Sequence, residues 1–560
     1  MFLQRLMPHL RMPGYLSRLR PSGVRLPVRL VLPLLVACLP AVLSAQSAAV
    51  ADSTPARDSG LIRAIQLQRY DIFDPDERSW LARVANALHF ETRAPTIRRE
   101  LLFRVGEPYD SARVAESERN LRALGVFRRV QIDSAQTDSG VVMKVVTKDG
   151  WSTRADWRFR SAGGEVEFTI GMVEDNLLGT ASSASVRYRK TTDRSTVALG
   201  FRRPRLFMGQ VGLSLAYENR SDGRLNLVSL EQPFYSLNSP FGFRFDAEDR
   251  DERVLRFFEG VREAQDTLTR RYTLVRGSAA WALRRSSEGY LRLGMQAQVR
   301  RDDFLPEGSA LPFPSSVTGA FGPYLSWNRA RFLVTQGVLG FAREEDVDLG
   351  TTIRAGFNLA PEALGYERNG IAPLASARVG VEIPGGFGYL EGLAGGLYTS
   401  AGLDSGVVQL AATAVTKPFR GHVAILHAEA GWLDDPLPGA EFDLGLGTGP
   451  RAFRSHAFTG DRSVFATAEY RVTVVNDFLG LMGLGIAGFV DHGGAWYAGS
   501  PKRLGWDAGV GLRLGASRAS DTEALRFDLA RRFGNDAEPG GWVVTVGKGF
   551  VFSSVGKRAL

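Results

Sequence analysis

The chain has 560 residues, more than one ordinary domain, and a formal net charge of +9. Six arginines and no acidic residue lie within residues 1–50, so 63 of the 69 basic residues remain against 60 acidic ones. The basicity therefore belongs mostly to a leader, which argues against a basic nucleic-acid-binding protein.

Residues 1–45 are predicted to form a secretory signal peptide. Their basic start precedes the charge-free run Leu30–Leu43, which is shorter than the roughly 20 apolar residues of a membrane helix. Small residues then predict cleavage after Ala45, and a lipoprotein lipobox that ends at Cys38 is the alternative. Because Cys38 is the only cysteine, cleavage after Ala45 excludes disulfides and thiolate catalysis in the mature chain. Residues 46–60 are small and polar, as expected of a linker.

Residues 61–150 predict one small α+β domain with the order β-α-α-β-β. Its second helix is expected to begin after Asp110, because aspartate caps the first backbone N–H groups of a helix. The predicted elements are a strand at Leu61–Leu67, a helix from Pro95 through Leu101, the helix after Asp110, and strands at Phe127–Asp133 and Val141–Thr147. Residues 71–94 form an insertion to which the pattern assigns no element.

The segment 151–552 predicts an antiparallel transmembrane β-barrel, which makes the fold mainly β. In Tyr290–Arg300, for example, one face is apolar and the other carries arginines and glutamines. A soluble sandwich also alternates, but here the pattern persists for about 400 residues without helices to cover the apolar face. A bilayer satisfies backbone polar groups only in helices or closed barrels, so an exported chain with this pattern predicts a barrel. About 16 to 18 strand segments can be marked, and about 16 strands are expected.

The final predicted strand, Trp542–Phe552, has a polar-x-Gly-x-x-aromatic-x-aromatic pattern. The pattern positions are Thr545, Gly547, Phe550 and Phe552. Two aromatic residues on the outward face fit the aromatic girdle of an outer-membrane barrel. The pattern resembles the β-signal by which barrel-assembly machines recognise their substrates, and an ordinary amphipathic strand is the alternative. Residues 553–560 are predicted to be a C-terminal tail.

Strand parity places a group of charged side chains on the inward face of the predicted barrel. Apolar residues alternate along Ser463–Val474 on the outward face, so Glu469 and Arg471 point inward. The same argument places further charges in the lumen, namely Asp491, Arg513, Arg526 and Asp528. Both signs are present, and such charges are costly on the lipid face but tolerated in a lumen.

Several segments resemble the BamA/TamA superfamily of outer-membrane assembly and transport barrels, which place POTRA domains before a 16-stranded barrel. They are Glu116–Arg122, Phe127–Val130, Glu174–Gly179, Gly445–Arg471 and Phe489–Gly493. The segment Gly445–Arg471 is similar to the family's inward-folded sixth extracellular loop, and Ala452 stands at its tip where the family has glycine. The resemblance implies that residues 61–150 are a POTRA domain and that this loop enters the lumen.

The resemblance and the parity argument together predict how the loop is anchored. Arg451 is expected to bind Asp491, with Glu469 as the second candidate, and Phe453 and Arg471 complete the anchor. Arginine suits this role because its planar guanidinium binds a carboxylate at two points. The alternative is that these charges only line a wet pore.

No enzyme signature is found in the sequence. Gly-x-Ser-x-Gly and Walker motifs are absent, and the six histidines form no HExxH-like pair. We therefore expect no catalytic residue, cofactor or metal site.

The resemblance implies a function in assembly, insertion or translocation of outer-membrane proteins. The barrel would lie in outer-membrane lipid with its POTRA domain in the periplasm, and would pair laterally with unfolded outer-membrane or secreted clients. Periplasmic chaperones or accessory proteins are further candidate partners, and nucleic acid is not expected. The alternatives are a passive channel or porin, and a surface antigen without insertase activity.

Overall fold

The computed structural model describes residues 60–549 apart from 74–88 and shorter gaps at 139, 163–164, 207–209, 237–238, 258–259, 261–263, 265, 287, 307–314, 339, 342–343, 447, 480, 517–523, and 535–537. The predicted signal peptide, the linker up to residue 59, the C-terminal tail, Phe550 and Phe552 lie outside the described residues. No helix in the described part of the chain is long and apolar enough to cross a membrane.

In its described residues, the N-terminal domain packs a three-stranded sheet against two helices, in the predicted order β-α-α-β-β. Its elements are β1 (Ile62–Tyr70), α1 (Ala94–Glu100), α2 (Ser111–Ala123), β2 (Phe127–Thr137) and β3 (Gly140–Asp149). The central strand β3 is parallel to β1 and antiparallel to β2. Asp110 caps α2, because its carboxylate accepts hydrogen bonds from the backbone N–H groups of Ala112 and Arg113 at 2.9 and 3.3 Å.

The core of this domain predicts that residues 61–150 fold without the barrel. Leu121 of α2 is fully buried against Ile62, Ile97 and Met143. In the isolated domain, Leu121→Ala should therefore lower the free energy of unfolding by about 2–5 kcal/mol, because the substitution leaves a cavity. Thermal melts followed by circular dichroism measure this loss. A disordered spectrum for the unmutated domain would contradict the prediction.

The rest of the described chain forms one closed antiparallel barrel of 20 strands. The barrel is confirmed, but the expected count of about 16 strands is wrong. Turns of only two residues, such as Pro384-Gly385 and Ser400-Ala401, leave no loop segment between neighbouring strands, so the strands are hard to count in the sequence.

The first half of the barrel wall contains ten consecutive strands and is followed by a small separate hairpin. The wall strands are β4 (Thr153–Ala162), β5 (Glu165–Leu177), β6 (Ser182–Lys190), β7 (Ser195–Arg203), β8 (Gly212–Arg220), β9 (Gly223–Gln232), β10 (Phe241–Arg256), β11 (Asp266–Ser286), β12 (Gly289–Pro306) and β13 (Ser316–Arg329). The separate hairpin pairs β14 (Phe332–Gln336) with β15 (Glu344–Asp348).

The second half of the wall is interrupted by one further small sheet. Its first strands are β16 (Thr351–Ala360), β17 (Gly370–Ile383), β18 (Gly386–Thr399), β19 (Gly402–Thr416) and β20 (His422–Asp434), with a 3-10 turn at Glu362–Leu364. The small sheet pairs β21 (Phe442–Leu444) with β22 (Phe458–Gly460). The last wall strands are β23 (Arg462–Phe478), β24 (Met482–Trp496), β25 (Gly505–Ala516), β26 (Leu525–Phe533) and β27 (Gly541–Lys548), and β27 closes the barrel against β4.

The outward face of the wall is apolar, as the alternation predicted. On β12, Leu293, Met295 and Val299 are 44%, 48% and 55% exposed. Such a surface is stable only against lipid, because exposed apolar area of this extent is unfavourable in water.

One end of the barrel contacts the N-terminal domain and is called the domain end here. Arg205, between β7 and β8, forms an ion pair with Glu100 of α1 at 2.8 Å. The side chain of Asn120 in α2 donates a hydrogen bond to the carbonyl of Tyr235, between β9 and β10, at 3.0 Å. The opposite end of the barrel is called the far end.

The end of β5 and the turn that follows it join the domain to the barrel through the end of the insertion at 71–94. Asn176 is fully buried, and its side-chain amide donates to the carbonyl of Phe90 at 3.0 Å and to the Thr92 hydroxyl at 2.9 Å. The backbone N–H of Thr92 donates in turn to Asp149 at 2.7 Å. The described part of the insertion therefore forms the junction between the two parts of the chain.

Candidate functional site: a charge cluster in the barrel lumen

The far-end connection between β20 and β23 folds back into the barrel. Its two short strands, β21 and β22, pair with each other and shape the returning chain. The tip, Arg451 to Phe453, is almost completely buried. The backbone at Ala452 lies outside the left-handed region, so alanine fits where the family has glycine. We call residues 449–462 the lumen loop.

Arg451 is the centre of the site, because three carboxylates converge on its guanidinium. Its Nε and Nη2 donate to the two oxygens of Asp491 at 2.6 and 3.1 Å. Its Nη1 donates to Glu469 at 3.2 Å and to Asp528 at 3.0 Å. The guanidinium carbon also lies 3.6 Å from the ring centroid of Phe489. The structure thus places both predicted carboxylates on Arg451, and adds Asp528 as a third.

The remaining predicted lumen charges surround this arginine. Arg513 donates to Asp528 from Nη1 at 2.6 Å and to Glu469 from Nε at 3.2 Å. Arg471 donates to Glu469 at 2.5 Å, and Arg526 lies 3.4 Å from Asp528. All of these side chains are buried, so opposite charges must compensate one another inside the barrel wall. The charges form one network and do not line an open water-filled pore.

Two residues of the network were not predicted. Asp507 is fully buried and accepts a hydrogen bond from the backbone N–H of Ala452 at 2.9 Å. The Thr467 hydroxyl donates to Asp491 at 2.6 Å. Both stand directly opposite Asp491 on the neighbouring strands. Their inward parity could have identified them once the register was known, but register cannot be read from alternation alone.

Next to the arginine, the loop is held by an aromatic contact and by a second ion pair. The Phe453 ring packs 5.0 Å from that of Phe458 and fills a space that a side chain at Gly505 would occupy, since a Cβ there would come 2.3 Å from the ring. Arg454 pairs with Glu538 at 2.5 Å, with both side chains buried. The loop is therefore anchored at several consecutive positions.

The described part of the predicted β-signal lies beside the same network. A Cβ at Gly547 would come 2.4 Å from Nη2 of Arg526, so glycine leaves the space that this arginine needs. Thr545 is buried and is paired across the barrel closure with Arg160. The final strand thus contributes to both the cluster and the closure of the barrel.

His456 forms a second contact of the loop near the far end. Its two ring nitrogens lie 2.5 Å from Asp443 and 3.1 Å from Asp193, and its ring stacks on Phe257 at 3.8 Å. Burial acts to lower the pKa of His456, but the hydrogen bonds and charges of the two aspartates outweigh it and raise the pKa to about 10.

This raised pKa predicts a pH-dependent contribution of His456 to stability. The protonated ring is favoured in the folded state, so its contribution is full below the unfolded pKa of 6.5 and is lost as the pH rises through about 10. At pH 6, His456→Gln should destabilise the protein by about 2 kcal/mol, the scale of a hydrogen bond to a charged group. Thermal melts at several pH values measure the difference. A difference in stability that does not shrink toward alkaline pH would contradict this account. The double variant Asp193→Asn/Asp443→Asn should remove the pH dependence as well, because it removes the two carboxylates that raise the pKa of His456.

The cluster is suited to holding a loop and a strand register in place. Its charges are compensated and largely removed from solvent, and each arginine has a carboxylate partner. Among the described residues, no group of three or more histidine, cysteine, aspartate or glutamate side chains could hold a metal ion.

Comparisons with known proteins agree with this architecture. Residues 88–148 match the POTRA family model, described as surface antigen variable number repeat. The outer-membrane protein assembly factor BamA of Neorickettsia risticii is 30% identical over 139 residues, which are 23% of this chain and 18% of that protein. BamA of Neisseria meningitidis serogroup B is 29% identical over 133 residues, which are 23% of this chain and 16% of that protein. The matches therefore span less than a fifth of these relatives.

Solved structures that match this chain include BamA from Haemophilus ducreyi lacking POTRA domains 1–3. It has a TM-score of 0.38 and 13% identity, and the match covers 87% of this chain and 84% of that one. CdiB from Acinetobacter baumannii has a TM-score of 0.45 and 12% identity, with 87% and 73% coverage.

Three findings support one architecture: the POTRA match, the identity to two BamA proteins over 23% of the chain, and the closed barrel. The chain therefore has a POTRA-plus-barrel architecture of the BamA/TamA type.

Proposed function

We propose that this protein assembles or translocates other outer-membrane or secreted proteins by opening its barrel between the first and last strands. The POTRA domain lies in the periplasm, and unfolded clients pair with the opened strand edges. The role needs no catalytic residue or cofactor, because backbone pairing supplies the interaction. Periplasmic chaperones or accessory proteins deliver the clients.

The observation that carries the proposal is the weak closure between β27 and β4. In the described residues, these strands share a single paired position, Thr545 opposite Arg160. In contrast, the pairing of β26 with β27 runs from Leu525 to Arg532, and that of β4 with β5 covers the whole of β4. Each ladder position that is absent removes backbone hydrogen bonds. Separating the strands at this closure therefore requires less free energy than separating them at the pairings on either side.

The occupied lumen supports the same role over that of a passive channel. The lumen loop crosses the interior, and its charges are paired with one another. A porin needs an open polar channel through which solutes diffuse.

The POTRA sheet offers a site where an extended client could bind. Its strand order, β1-β3-β2, leaves an edge of β2 unpaired among the described residues. The second half of this strand, Ser134 to Thr137, is exposed to solvent. An exposed edge can add a further strand through backbone hydrogen bonds.

The proposal is tested with liposomes that contain the purified protein and a urea-denatured small outer-membrane barrel as the client. We expect the client to fold faster than in empty liposomes, as measured by its faster migration on gels without boiling. Liposomes that contain an unrelated porin are the control. A folding rate equal to that in both controls would contradict the proposed function.

A further inference from the structure

The connection between β13 and β16 at the domain end is much longer than the wall requires. Arg329 and Thr351 stand directly opposite each other in the ladder, so a two-residue turn could join the strands. Instead, the described residues of the range 330–350, which are all but 339 and 342–343, leave the wall, form the β14–β15 hairpin and contact both the lumen and the POTRA domain. We call these residues the inner hairpin.

The wall that faces the inner hairpin is apolar. Val423 and Ile425 stand opposite Arg471 and Glu469 in the ladder, so they point into the lumen. They form one buried cluster with residues of the adjoining strands and of the inner hairpin. The members are Val338, Leu349, Phe387, Val415, Val423 and Ile425. Apolar side chains on the inner face would be exposed to water without the hairpin, so this part of the wall is built to receive it.

A glycine slot on the nearby wall strands β24 and β25 receives the ring of Phe341. A Cβ at Gly483 would come 2.4 Å from this ring, and one at Gly515 would come 2.5 Å from it. Gly485 lies on the same face of β24, and a Cβ there would come 3.4 Å from the ring. Larger residues at the first two positions would exclude the ring.

The inner hairpin also connects the POTRA domain with the charge cluster. The carbonyl of Val338 accepts a hydrogen bond from Arg471 at 3.1 Å, and Arg471 binds Glu469. At the hairpin's other end, Asp346 accepts two hydrogen bonds from Arg122 of α2, at 2.7 and 3.1 Å. The contacts thus run from a POTRA helix, through the hairpin, to the carboxylate that also binds the lumen loop.

We propose that the inner hairpin is a removable plug at the domain end of the barrel, and that the POTRA domain holds it in place through Arg122. Movement of α2 away from the barrel loosens the hairpin and uncovers the apolar wall of β18–β20. The plug is separate from strand opening, so it can be tested without a client. The result of that test does not depend on whether the proposed function is correct.

The test measures the exposure of the wall beneath the plug. A cysteine replaces buried Val415 in a Cys38→Ser background, and the rate of its reaction with a charged maleimide is recorded in detergent. Gly483→Leu should raise the rate by about tenfold or more, because the leucine displaces the Phe341 ring from its slot. Gly488→Leu is the matched control, since it lies on the same strand and a Cβ there meets nothing within 4 Å. Phe341→Ala is a second variant that loosens the plug without adding bulk.

The link to the POTRA domain is tested in the same assay. Arg122→Ala should raise the labelling rate about two- to fivefold, the range expected when a partly exposed ion pair is lost. Arg113→Ala is its control, because Arg113 lies on the same helix and pairs with Glu107 inside the domain. The proposal is overturned if Val415→Cys reacts rapidly in the otherwise unmutated protein, or if Gly483→Leu and Phe341→Ala leave the rate at that of the control. An effect of Gly483→Leu without one of Arg122→Ala would overturn the POTRA link.

Discussion

Replacing Arg451 by alanine should destabilise the barrel by about 3–5 kcal/mol, the scale of breaking a buried ion pair from one side. The guanidinium contacts Asp491, Glu469 and Asp528, and its removal leaves three carboxylates close together in the lumen. Arg451→Lys should restore little, because a single ammonium cannot bind one carboxylate at two points and reach two others. Urea unfolding of the refolded protein in detergent, followed by tryptophan fluorescence, measures the loss.

Asp491→Ala should cost less than Arg451→Ala, because the arginine keeps Glu469 and Asp528 as partners. The double variant should be little worse than Arg451→Ala alone, since the two side chains share one interaction. Arg224→Ala is the matched control: Arg224 is exposed and its partner Asp251 is partly exposed, so the loss should stay below about 1 kcal/mol. Small and additive effects of Arg451→Ala and Asp491→Ala would show that the loop is not anchored by this pair.

The charge cluster was largely predictable because parity is a local property of the sequence. An outward apolar row in β23 is enough to place Glu469 and Arg471 inward, and the same logic applies to Asp491 and Asp528. That Arg451 meets three carboxylates at once was not predictable, because this depends on the register between strands distant in sequence.

The inner hairpin was not predicted, although the sequence carries a sign of it. Its two strands are only five residues long and β15 is mostly acidic, so the alternation that marks wall strands does not reveal them. The informative segment is β20, where Val423 and Ile425 face inward while Leu426 faces outward. A wall strand that is apolar on both faces indicates that something covers its inner face.

The strand count was also underestimated for a physical reason. Turns of only two residues, such as Ser400-Ala401 between β18 and β19, leave no loop segment to separate neighbouring strands. The apolar row shifts by one position across such a turn, because Thr399 and Gly402 stand opposite each other, and this shift resembles an irregularity within a single strand.

The closure between β27 and β4 is the basis of the proposed function, so locking it should abolish activity. Thr545→Cys combined with Arg160→Cys places two cysteines at directly opposed positions, which are close enough for a disulfide. Ala530→Cys combined with Val543→Cys is the matched control, because it crosslinks β26 to β27 within the continuous wall.

The most direct measurement compares client folding in liposomes that contain these two variants, before and after addition of a reductant. The account predicts that the oxidised Thr545/Arg160 pair folds the client no faster than empty liposomes, that the reductant restores folding, and that the control pair is active throughout. Undiminished folding by the fully oxidised Thr545/Arg160 pair would contradict the account, because it would show that the barrel works without opening at this closure.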